Sequence, residues 1–452
     1  MTPEASALLQ DLATLPDPLH LPDPPAGGEA VALRPPGSKS LTNRALPLAA
    51  LASGRSRLTG ALTDADDAQR MIEALRTLGA SIDETSPGTL IIDGVAGAFP
   101  HGGELFLNNA GTATRFLTAF ACLARQPVVI DGNERMRQRP IGELVELLRA
   151  IDVEVEETGE AGFVPLRIQP ARPAGGVIDV ATTLSSQYVS ALLMLAPWTE
   201  RGIEIRFVDT PTSPSYVRMT VGLLERLGAS RVEIEGDPPT RVFVGPGPLD
   251  ACTLDVEPDA SGATYVWAAG ALSPGRQVTV EGIDGDSLQG DAHFVDLLEQ
   301  MGARVERRAG AITVEGPARL RGIDADLTLM PDAAMTLAMV AVVADGPTRM
   351  RGLQTLRVKE TDRIAALQTE LGRIGVAVEV FGDGREEGVV IHPPADGLGV
   401  EPVAFDTYDD HRMAMSLSLL ALRRTNVQIR DPGCVAKTYP GYWSDFARMW
   451  GG

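Results

Sequence analysis

The hydrophobic pattern of the chain contains one element that recurs five times. Two leucine-like residues three positions apart end an amphipathic stretch, a glycine follows, and an alternating apolar and polar segment comes next. The glycine position falls at residues 79, 152, 228, 302 and 375, with Asp152 as the one replacement, so the steps are 73, 76, 74 and 73 residues. Glycine just after a helix supplies the left-handed backbone that ends it, and alternation is typical of a half-buried strand. The pattern predicts one α/β unit copied several times.

A sixth helix end is predicted at the C-terminus. One further step from residue 375 reaches residues 446–452, which leave no room for strands after the helix. The missing strands therefore have to come from the N-terminus, where 29–34 is a candidate. We expect this N-terminal strand to complete the unit whose helix is C-terminal, so that six units form two domains of three.

This arrangement makes the chain cross between domains twice. We expect the crossings near 34–37, where prolines enforce an extended path, and near 257–259. The predicted domains are 37–257, and 28–36 together with 258–452, with the active site in the cleft between them. Residues 1–27 are expected to form a proline-rich, partly mobile lead-in containing a helix from Ala5 to about Leu15.

Composition and charge exclude several classes of partner. The chain is 44% hydrophobic and 22% charged, which is typical of a globular protein, and its net charge is −20. That charge argues against nucleic acid or an anionic membrane as the main partner. We expect no secretory signal, because the N-terminus has no basic start followed by an apolar run, and no membrane span, because no stretch of about 18 apolar residues occurs. The three cysteines, Cys122, Cys252 and Cys434, lack disulfide or zinc-ligand spacing, so we expect a cytoplasmic protein without a structural metal.

One charged segment carries candidate chemistry. Residues 355–363 read Thr-Leu-Arg-Val-Lys-Glu-Thr-Asp-Arg. Lys359 and Arg363 are four apart, so on a helix they would share a face and require an anion between them. Glu360 beside them is placed to act as an acid or base whose pKa the cations tune. The alternative is a solvated, salt-bridged helix start, which becomes less favoured because other phosphate-suited segments occur.

Several helix starts in the first half combine small residues, hydroxyls and cations. Such starts leave backbone N–H groups free for an anion. They are 36–44 with Lys39 and Arg44, 108–115 with Gly111, 185–187, and 213–216. In addition, residues 131–140 place three arginines at alternate positions. We expect these to point one way and to fork onto carboxylate or phosphate.

The second half adds three polar segments. Asp332 stands at the head of an apolar helix, where the alternative is a plain helix-start Asp favoured by the dipole. Residues 409–415 place His411 and Arg412 before another apolar helix, and Arg412 is favoured as the ligand because a lone histidine is more often structural. The turn 431–438 delivers Lys437, and Cys434 within it is interpreted as a small buried hydrophobe. No dinucleotide fingerprint or full P-loop occurs, so the protein's own cations must neutralise phosphates.

These segments resemble the 5-enolpyruvylshikimate-3-phosphate synthase family from about Val31 to Asp445. The motifs are PGSKSLTNRAL, NAGTATR, RMRQRPIG, SSQY, PDAAMT, RVKETDR, DHRMAM and GCVAKT. The resemblance implies an α/β fold, a two-domain inside-out α/β barrel of six βαβαββ-type units, three per domain. It implies transfer of the carboxyvinyl group of phosphoenolpyruvate to the 5-hydroxyl of shikimate 3-phosphate, on the route to chorismate and aromatic amino acids. Orthophosphate leaves by addition and elimination, and no cofactor is needed.

The resemblance also assigns roles to residues of this sequence. Asp332 looks like the base for the 5-hydroxyl and Glu360 like the acid that protonates the methylene carbon, with Lys39 and Lys437 as proton partners. The implied shikimate 3-phosphate contacts are Lys39, Ser40, Arg44, Ser185, Ser186, Gln187, Ser213, Tyr216, Asp332, Thr355 and Lys359. The implied phosphoenolpyruvate contacts are Lys39, Asn109, Gly111, Thr112, Arg135, Gln187, Glu360, Arg363, His411, Arg412 and Lys437.

Three positions depart from the family pattern. Thr355 stands where an asparagine often touches the shikimate ring, Phe116 where a proline is common, and Asn108 where a glycine is frequent. Gly111 is retained, so we expect glyphosate to compete with phosphoenolpyruvate.

The nearest alternative is the sister UDP-N-acetylglucosamine enolpyruvyl transferase, which uses a loop cysteine as its acid, and no cysteine here lies in a comparable polar loop. A non-catalytic binding protein on the same scaffold would be expected to lack Asp332, Glu360 or Lys39, and an RNA-end-processing enzyme would need a basic stripe. We expect a monomer that acts on the two small substrates alone, without nucleic acid or membrane.

Overall fold

A computed structural model of the chain describes residues 3–25, 27–181 and 185–451. The chain divides into two compact units, Met1–Pro36 with Pro258–Gly452, and Gly37–Glu257. Across the described ranges the α-helices are Pro3–Ala7, Lys39–Leu51, Asp66–Thr77, Gly111–Phe120, Gly142–Arg149, Ser186–Leu195, Pro214–Arg226, Ala260–Leu272, Phe294–Gln300, Ala334–Ala341, Arg363–Gly372, His411–Ser418 and Tyr442–Gly451. None of the helices in these ranges is long and apolar enough to cross a membrane.

The sheets of the unit Gly37–Glu257 share one topology. In each, two neighbouring strands are parallel and an antiparallel pair extends the sheet from the second of them. Named in sheet order, the strands are Thr253–Asp255, Ser53–Thr59, Thr89–Val95 and Ser81–Ser86; Gly103–Phe106, Val128–Asp131, Leu166–Ile168 and Val155–Glu157; and Gly176–Val180, Ile203–Phe207, Arg241–Val244 and Val232–Glu235. A helix follows each of the two parallel strands.

The other unit repeats this topology, with one shortened sheet. Its strands in sheet order are Val31–Leu33, Gln277–Glu281, Ala311–Glu315 and Arg304–Arg308; Asp324–Asp326, Thr348–Arg351, Gly388–His392 and Ala377–Phe381; and Val403–Phe405, Val427–Ile429 and Leu19–His20. The prediction of an α/β fold built from βαβαββ-type repeats is confirmed, because the described chain contains three such sheets in each unit.

The five predicted helix ends are confirmed by their backbone angles. Residues 79, 152, 228, 302 and 375 have φ values of +104°, +67°, +78°, +105° and +78°. Glycine reaches this left-handed region without strain, and aspartate is among the few other residues that tolerate it. The recurring pattern in the sequence therefore reflects one backbone requirement met five times.

The prediction that the strand at 29–34 completes the sixth repeat is wrong. Val31–Leu33 pairs in parallel with Gln277–Glu281, with Val31 opposite Val278, so it belongs to the fourth unit. The sixth sheet is completed instead by Leu19–His20, which lies antiparallel to Val427–Ile429. A strand of two residues has no readable alternation, and its place was decided by burial of Leu19, which is fully inaccessible.

The N-terminal segment is also more ordered than expected. The predicted helix from Ala5 to Leu15 is wrong: the α-helix is Pro3–Ala7, and a separate 3-10 turn spans Leu12–Thr14. The break allows Leu8 to enter the hydrophobic core of its unit. Residues 1, 2 and 26 of this predicted segment, and residue 452 of the predicted sixth helix end, lie outside the described ranges.

Three of the helices that follow the first strand of a sheet are almost wholly buried. In Ala260–Leu272, Ala334–Ala341 and His411–Ser418 every residue is buried, and Arg412 keeps 7% of its surface exposed. An apolar helix of this kind can only sit inside its unit, so its polar first turn is the part that reaches other groups. Asp332 lies in the 3-10 turn Pro331–Ala333 just before the second of these helices, and His411 and Arg412 lie in the first turn of the third.

Candidate active site

The site in the unit Met1–Pro36 with Pro258–Gly452 is organised around Arg363, whose side chain is 1% exposed. Its Nε donates to Asp410 Oδ2 over 2.8 Å and its Nη1 to Asp332 Oδ1 over 2.8 Å. Its Nη2 donates to Glu360 Oε2 over 2.9 Å and to Asp410 Oδ1 over 3.1 Å. A guanidinium presents its donors in a fixed planar fork, so Arg363 fixes three carboxylates from three separate segments.

Asp332 is in turn surrounded by cations. Lys359 Nζ lies 3.3 Å from its Oδ1, and Arg412 Nη2 lies 3.3 Å from its Oδ2. Burial alone would raise the pKa of this carboxyl, but the charges of Arg412, Lys359 and Arg363 outweigh burial and hold it well below its usual range. Asp332 is therefore ionised as long as these cations stay beside it.

The sequence placed Lys359 and Arg363 on one helix face with an anion between them. The helix begins only at Arg363, and Lys359 follows the 3-10 turn Gln354–Val358, so the shared helix face is wrong. The anion is present nevertheless, because Asp332 Oδ1 contacts both cations. Burial lowers the pKa of Lys359, and the neighbouring arginines act in the same direction while Asp332 and Glu360 oppose it.

Glu360 connects this cluster to the turn that carries Lys437. Its Oε1 lies 3.1 Å from Lys437 Nζ, and its Oε2 accepts from Arg363. Lys437 ends the 3-10 helix Pro432–Lys437, so the turn delivers its ammonium group as the sequence predicted. Cys434 in the same turn packs against the core, and burial raises the pKa of its thiol. That environment fits a small hydrophobe rather than a nucleophile.

Asp410 was missed as a site residue although it stands inside a segment that was singled out. It caps the helix His411–Ser418 by accepting from the backbone N–H of Arg412 over 2.9 Å. Its carboxylate is fully buried and is held by Arg363. His411 is 1% exposed, and its Nδ1 lies 3.7 Å from Asp410 Oδ1. The signal that could have found Asp410 is its position as an N-cap before a helix whose later residues are mostly apolar.

A second group of predicted residues lies in the unit Gly37–Glu257. Lys39 Nζ lies 3.5 Å from Asp67 Oδ2, and Ser38 caps the helix that Lys39 begins. Arg44 on this helix is buried, and its guanidinium donates to three neutral oxygens: Thr220 Oγ1 at 2.8 Å, the Ser40 carbonyl at 2.9 Å and Ser190 Oγ at 3.2 Å. Burial lowers the pKa of Arg44 to about 10.

Aromatic rings surround the same arginine. The Cζ atom of Arg44 lies 5.1 Å from the ring centre of Phe116 and 5.8 Å from that of Tyr216. Phe116, one of the three departures from the family pattern, is thus a packing partner of Arg44. Ser213 is the N-cap of the helix Pro214–Arg226, which carries Tyr216, and has a φ value of +47°.

The loop at Asn109 and Gly111 packs against Arg139. Arg139 Nη1 donates to the side-chain oxygen of Asn109 over 3.1 Å and to its carbonyl over 3.2 Å. A Cβ atom at Gly111 would lie 2.7 Å from Arg139 Nη2, closer than real contacts allow. Asn108, the second departure, adopts φ +51° and donates to Asp66 Oδ2 over 3.1 Å. Only glycine fits at position 111 while Arg139 keeps this place.

Gln187 belongs to a neighbouring hydrogen-bond network. Its Nε2 donates to Thr112 Oγ1 over 3.1 Å, and its Oε1 accepts from Arg115 Nη1 over 2.6 Å. Ser185 caps the helix that follows, with its Oγ accepting from the Gln187 N–H, and Ser186 is buried in the first turn. Arg115 and Arg139 are absent from the substrate contacts that the resemblance implies, although both lie within the quoted motifs and Arg139 is one of the three alternate arginines.

The three alternate arginines do not point one way. Residues Met136–Gln138 form a 3-10 turn, in which neighbouring side chains spread over all directions. Arg135 Nη1 donates to Gln138, Arg137 pairs with Asp131, and Arg139 turns inward to Asn109. The expected common fork is therefore wrong, and each arginine has its own environment.

The structure thus brings six predicted residues into one cluster, namely Asp332, Lys359, Glu360, Arg363, Arg412 and Lys437. Thr355, the third departure, is 9% exposed near this segment, and its hydroxyl finds no hydrogen-bond partner among the described residues. Within the described part of the chain, no group of three or more His, Cys, Asp or Glu side chains is arranged to hold a metal ion.

Comparison with known proteins gives consistent matches along almost the whole chain. A family model described as EPSP synthase (3-phosphoshikimate 1-carboxyvinyltransferase) matches residues 29–446. A 3-phosphoshikimate 1-carboxyvinyltransferase of Thiobacillus denitrificans is 44% identical over 425 residues, covering 92% of this chain and 96% of that protein. One of Janthinobacterium sp. is 43% identical over 426 residues, covering 92% and 94%. A solved EPSP synthase of Acinetobacter baumannii superposes with a TM-score of 0.77 at 26% identity, covering 94% of this chain and 97% of that one.

Proposed function

The chain belongs to the EPSP synthase family, the 3-phosphoshikimate 1-carboxyvinyltransferases, and on that premise we propose how its residues carry out the reaction. The enzyme transfers the carboxyvinyl group of phosphoenolpyruvate to the 5-hydroxyl of shikimate 3-phosphate and releases orthophosphate, a step of the shikimate pathway. The observation that supports our assignment of roles is the contact of Asp332 with three cations beside the Glu360–Lys437 pair.

The reaction needs a base at oxygen and an acid at carbon. In the addition step the 5-hydroxyl oxygen bonds to C2 of phosphoenolpyruvate, its proton leaves to a base, and C3 gains a proton to become a methyl group. In the elimination step C3 loses a proton, the bond from C2 to the phosphate oxygen breaks, and orthophosphate departs. The two proton transfers act on different atoms, so two groups held apart by one scaffold suit the chemistry.

Asp332 is the base in this proposal. Its carboxylate is ionised, but cations on both oxygens make it a weak base before substrates bind. Anionic substrates compete for the same cations, so their binding would weaken the hold of Arg412 and Lys359 on Asp332. The carboxylate would then become more basic at the moment when a hydroxyl group is present.

In this proposal Glu360 is the acid that protonates C3, and Lys437 is the group that returns a proton to Glu360. The carboxyl accepts from Arg363 on one oxygen and lies 3.1 Å from Lys437 Nζ on the other. The ammonium group is therefore within hydrogen-bond distance of the group that it would reprotonate. Lys39, from the other unit, is the remaining proton partner in the proposal.

The cations supply the charge stabilisation. Arg412, Lys437 and Lys359 line one part of the proposed site and would bind the carboxylate and phosphate of the substrates. Arg363 already donates to three protein carboxylates, so we assign its main part to holding them in place. In the other unit, the set proposed to contact substrate is Lys39, Ser40, Asn109, Gly111, Thr112, Arg135, Ser185, Ser186, Gln187, Ser213 and Tyr216.

The test is phosphate release from the purified protein with both substrates, in the presence of EDTA and with each substrate omitted in turn. Release that requires both substrates and is unaffected by EDTA is expected. Phosphate release only when UDP-N-acetylglucosamine replaces shikimate 3-phosphate would show that the chain catalyses the sister reaction. No phosphate release with either acceptor would refute catalysis. Light scattering after size exclusion tests the monomeric state that we also propose.

A further inference from the structure

Two adjacent residues before the His411 helix have an unusual backbone. Tyr408 has φ +58° and Asp409 has φ +54°, both in the left-handed region. They lie between the strand Val403–Phe405 and the helix His411–Ser418, in the turn that leads to Asp410 and Arg412. A bulky residue such as tyrosine rarely adopts this conformation, and it persists only where the surroundings enforce it.

A fully buried carboxylate enforces it. Glu370 Oε1 accepts from the hydroxyl of Tyr408 over 2.7 Å, and Glu370 Oε2 accepts from the backbone N–H of Asp406 over 3.1 Å. Arg373 Nη1 donates to the same Oε2 over 2.8 Å and neutralises the charge. The side chain of Glu370 is 0% exposed, whereas Tyr408 is 41% exposed. A surface tyrosine thus directs its hydroxyl inward to a buried anion, and the bond spans the turn.

The helix that carries Glu370 also carries Arg363. The two residues are seven positions apart on Arg363–Gly372, so they lie two turns apart on one face. Arg363 holds Asp410 at the end of the turn, and Glu370 holds Asp406 and Tyr408 at its beginning. One helix face therefore fixes both ends of the segment 406–410, and this segment sets where Arg412 emerges.

We propose that Glu370 and Tyr408 are positioning residues of the transferase. They hold the strained turn 406–410 so that Arg412 meets Asp332 and, on substrate binding, the anionic groups of phosphoenolpyruvate. Neither touches substrate. The inference rests on the proposed function for its kinetic consequence, and on the turn alone for its structural consequence.

The first experiment compares Tyr408→Phe and Glu370→Gln with Tyr442→Phe as the matched control. Tyr442 also bonds through a buried hydroxyl, to Ser418 Oγ at 2.7 Å and to the Met415 carbonyl at 2.9 Å, and neither partner lies in the turn 406–410. We expect KM for phosphoenolpyruvate to rise about fivefold in Tyr408→Phe and about tenfold in Glu370→Gln, with kcat and KM for shikimate 3-phosphate changed by less than about twofold. Equal kinetic effects in all three variants would overturn the proposal.

The strain itself is tested at Tyr408. Tyr408→Ala and Tyr408→Gly both remove the ring and hydroxyl, but only glycine accepts the left-handed backbone without cost. KM for phosphoenolpyruvate should therefore rise clearly more in the alanine variant than in the glycine variant. The same KM in both would show that the backbone conformation does not matter.

A readout without turnover separates this inference from the proposed function. In hydrogen–deuterium exchange, the amides of Asp406, Asp410 and Arg412 should exchange faster in Tyr408→Phe and Glu370→Gln than in the wild type. Their exchange rates in Tyr442→Phe should equal those of the wild type. A wild type that releases no phosphate would refute the function and leave this comparison valid. Unchanged exchange in both variants would refute the positioning role.

Discussion

Lys437 Nζ lies 3.1 Å from Glu360 Oε1, which joins the turn Pro432–Lys437 to the segment before Arg363. The pair links two successive repeats of the fold, and neither side chain is more than 13% exposed. Glu360 contacts Lys437 through one carboxylate oxygen and Arg363 through the other, so its position is fixed and a proton donor lies beside it.

Glu360→Gln should lower kcat by about 10²- to 10⁴-fold, the usual effect of removing a general acid. The amide keeps the shape of the side chain, so KM for either substrate should change little. Steady-state kinetics with both substrates measure this. The control is Glu387→Gln, which removes the charge from the 2.7 Å contact with Arg357 in the same region and should leave kcat intact. An equal loss of binding and turnover in Glu360→Gln would contradict the acid role.

Asp332→Asn should destabilise the fold in a pH-dependent way. The pKa of Asp332 is lowered in the folded protein, so its carboxylate contributes stability above the unfolded pKa of about 3.9 and loses it as the pH falls towards the lower folded value. At pH 7 in phosphate-free buffer we expect a loss of about 3 kcal/mol, because Lys359 and Arg412 lose their buried partner. Urea unfolding should show the difference shrinking below about pH 4.

The matched control for this prediction is Asp324→Asn. Asp324 pairs with Arg351, but both side chains are exposed by more than two fifths. An exposed pair contributes at most about 1 kcal/mol. Equal losses of stability in both variants at neutral pH would refute the interpretation that the neighbouring cations make the Asp332 carboxylate stabilising.

Gly111→Ala should raise KM for phosphoenolpyruvate by about tenfold, comparable to losing one charge-assisted hydrogen bond. The new methyl group would lie 2.7 Å from Arg139 Nη2 and displace the guanidinium from Asn109. KM for shikimate 3-phosphate should be unaffected. Gly285→Ala is the control, since nothing lies within 4 Å of its Cβ.

Glyphosate inhibition of the wild type is measured in the same assay, and we expect competition with phosphoenolpyruvate that weakens in Gly111→Ala. Undiminished wild-type turnover in a large excess of glyphosate would refute the expected sensitivity.

Thr355→Asn should lower KM for shikimate 3-phosphate by about fivefold, the value of one neutral hydrogen bond. The threonine hydroxyl has no hydrogen-bond partner among the described residues, whereas the longer amide of asparagine would offer both a donor and an acceptor at this position. Thr355→Val keeps the shape without the hydroxyl and should behave like the wild type. A large loss of activity in the valine variant would show that the hydroxyl itself contacts substrate.

Leu19→Ala should cost about 3 kcal/mol of unfolding free energy, as deletion of a buried leucine does. Leu19 is fully buried and pairs with Ile429. Leu9→Ala, at a residue 51% exposed, should change stability by less than about 0.5 kcal/mol. Thermal unfolding of both variants measures the contrast, and equal stabilities would mean that the N-terminal strand contributes nothing to its unit.

The sequence by itself determined the repeated α/β unit, its helix ends and the first turns that carry the polar groups. These features are local: a periodicity within one helix, a residue with positive φ after it, or small residues and hydroxyls at its start. The cluster of Asp332, Glu360 and Lys437 was predictable as a set, although only through recognisable motifs.

Only the tertiary structure decided which partners those groups have. Arg363 meets Asp332 across 31 positions and Asp410 across 47, and no local pattern encodes either contact. The spread of Arg135, Arg137 and Arg139 depends on one 3-10 turn, whose formation is set by its surroundings. The strand Leu19–His20 likewise gains its place from burial against the far end of the chain, because two residues have too little pattern of their own.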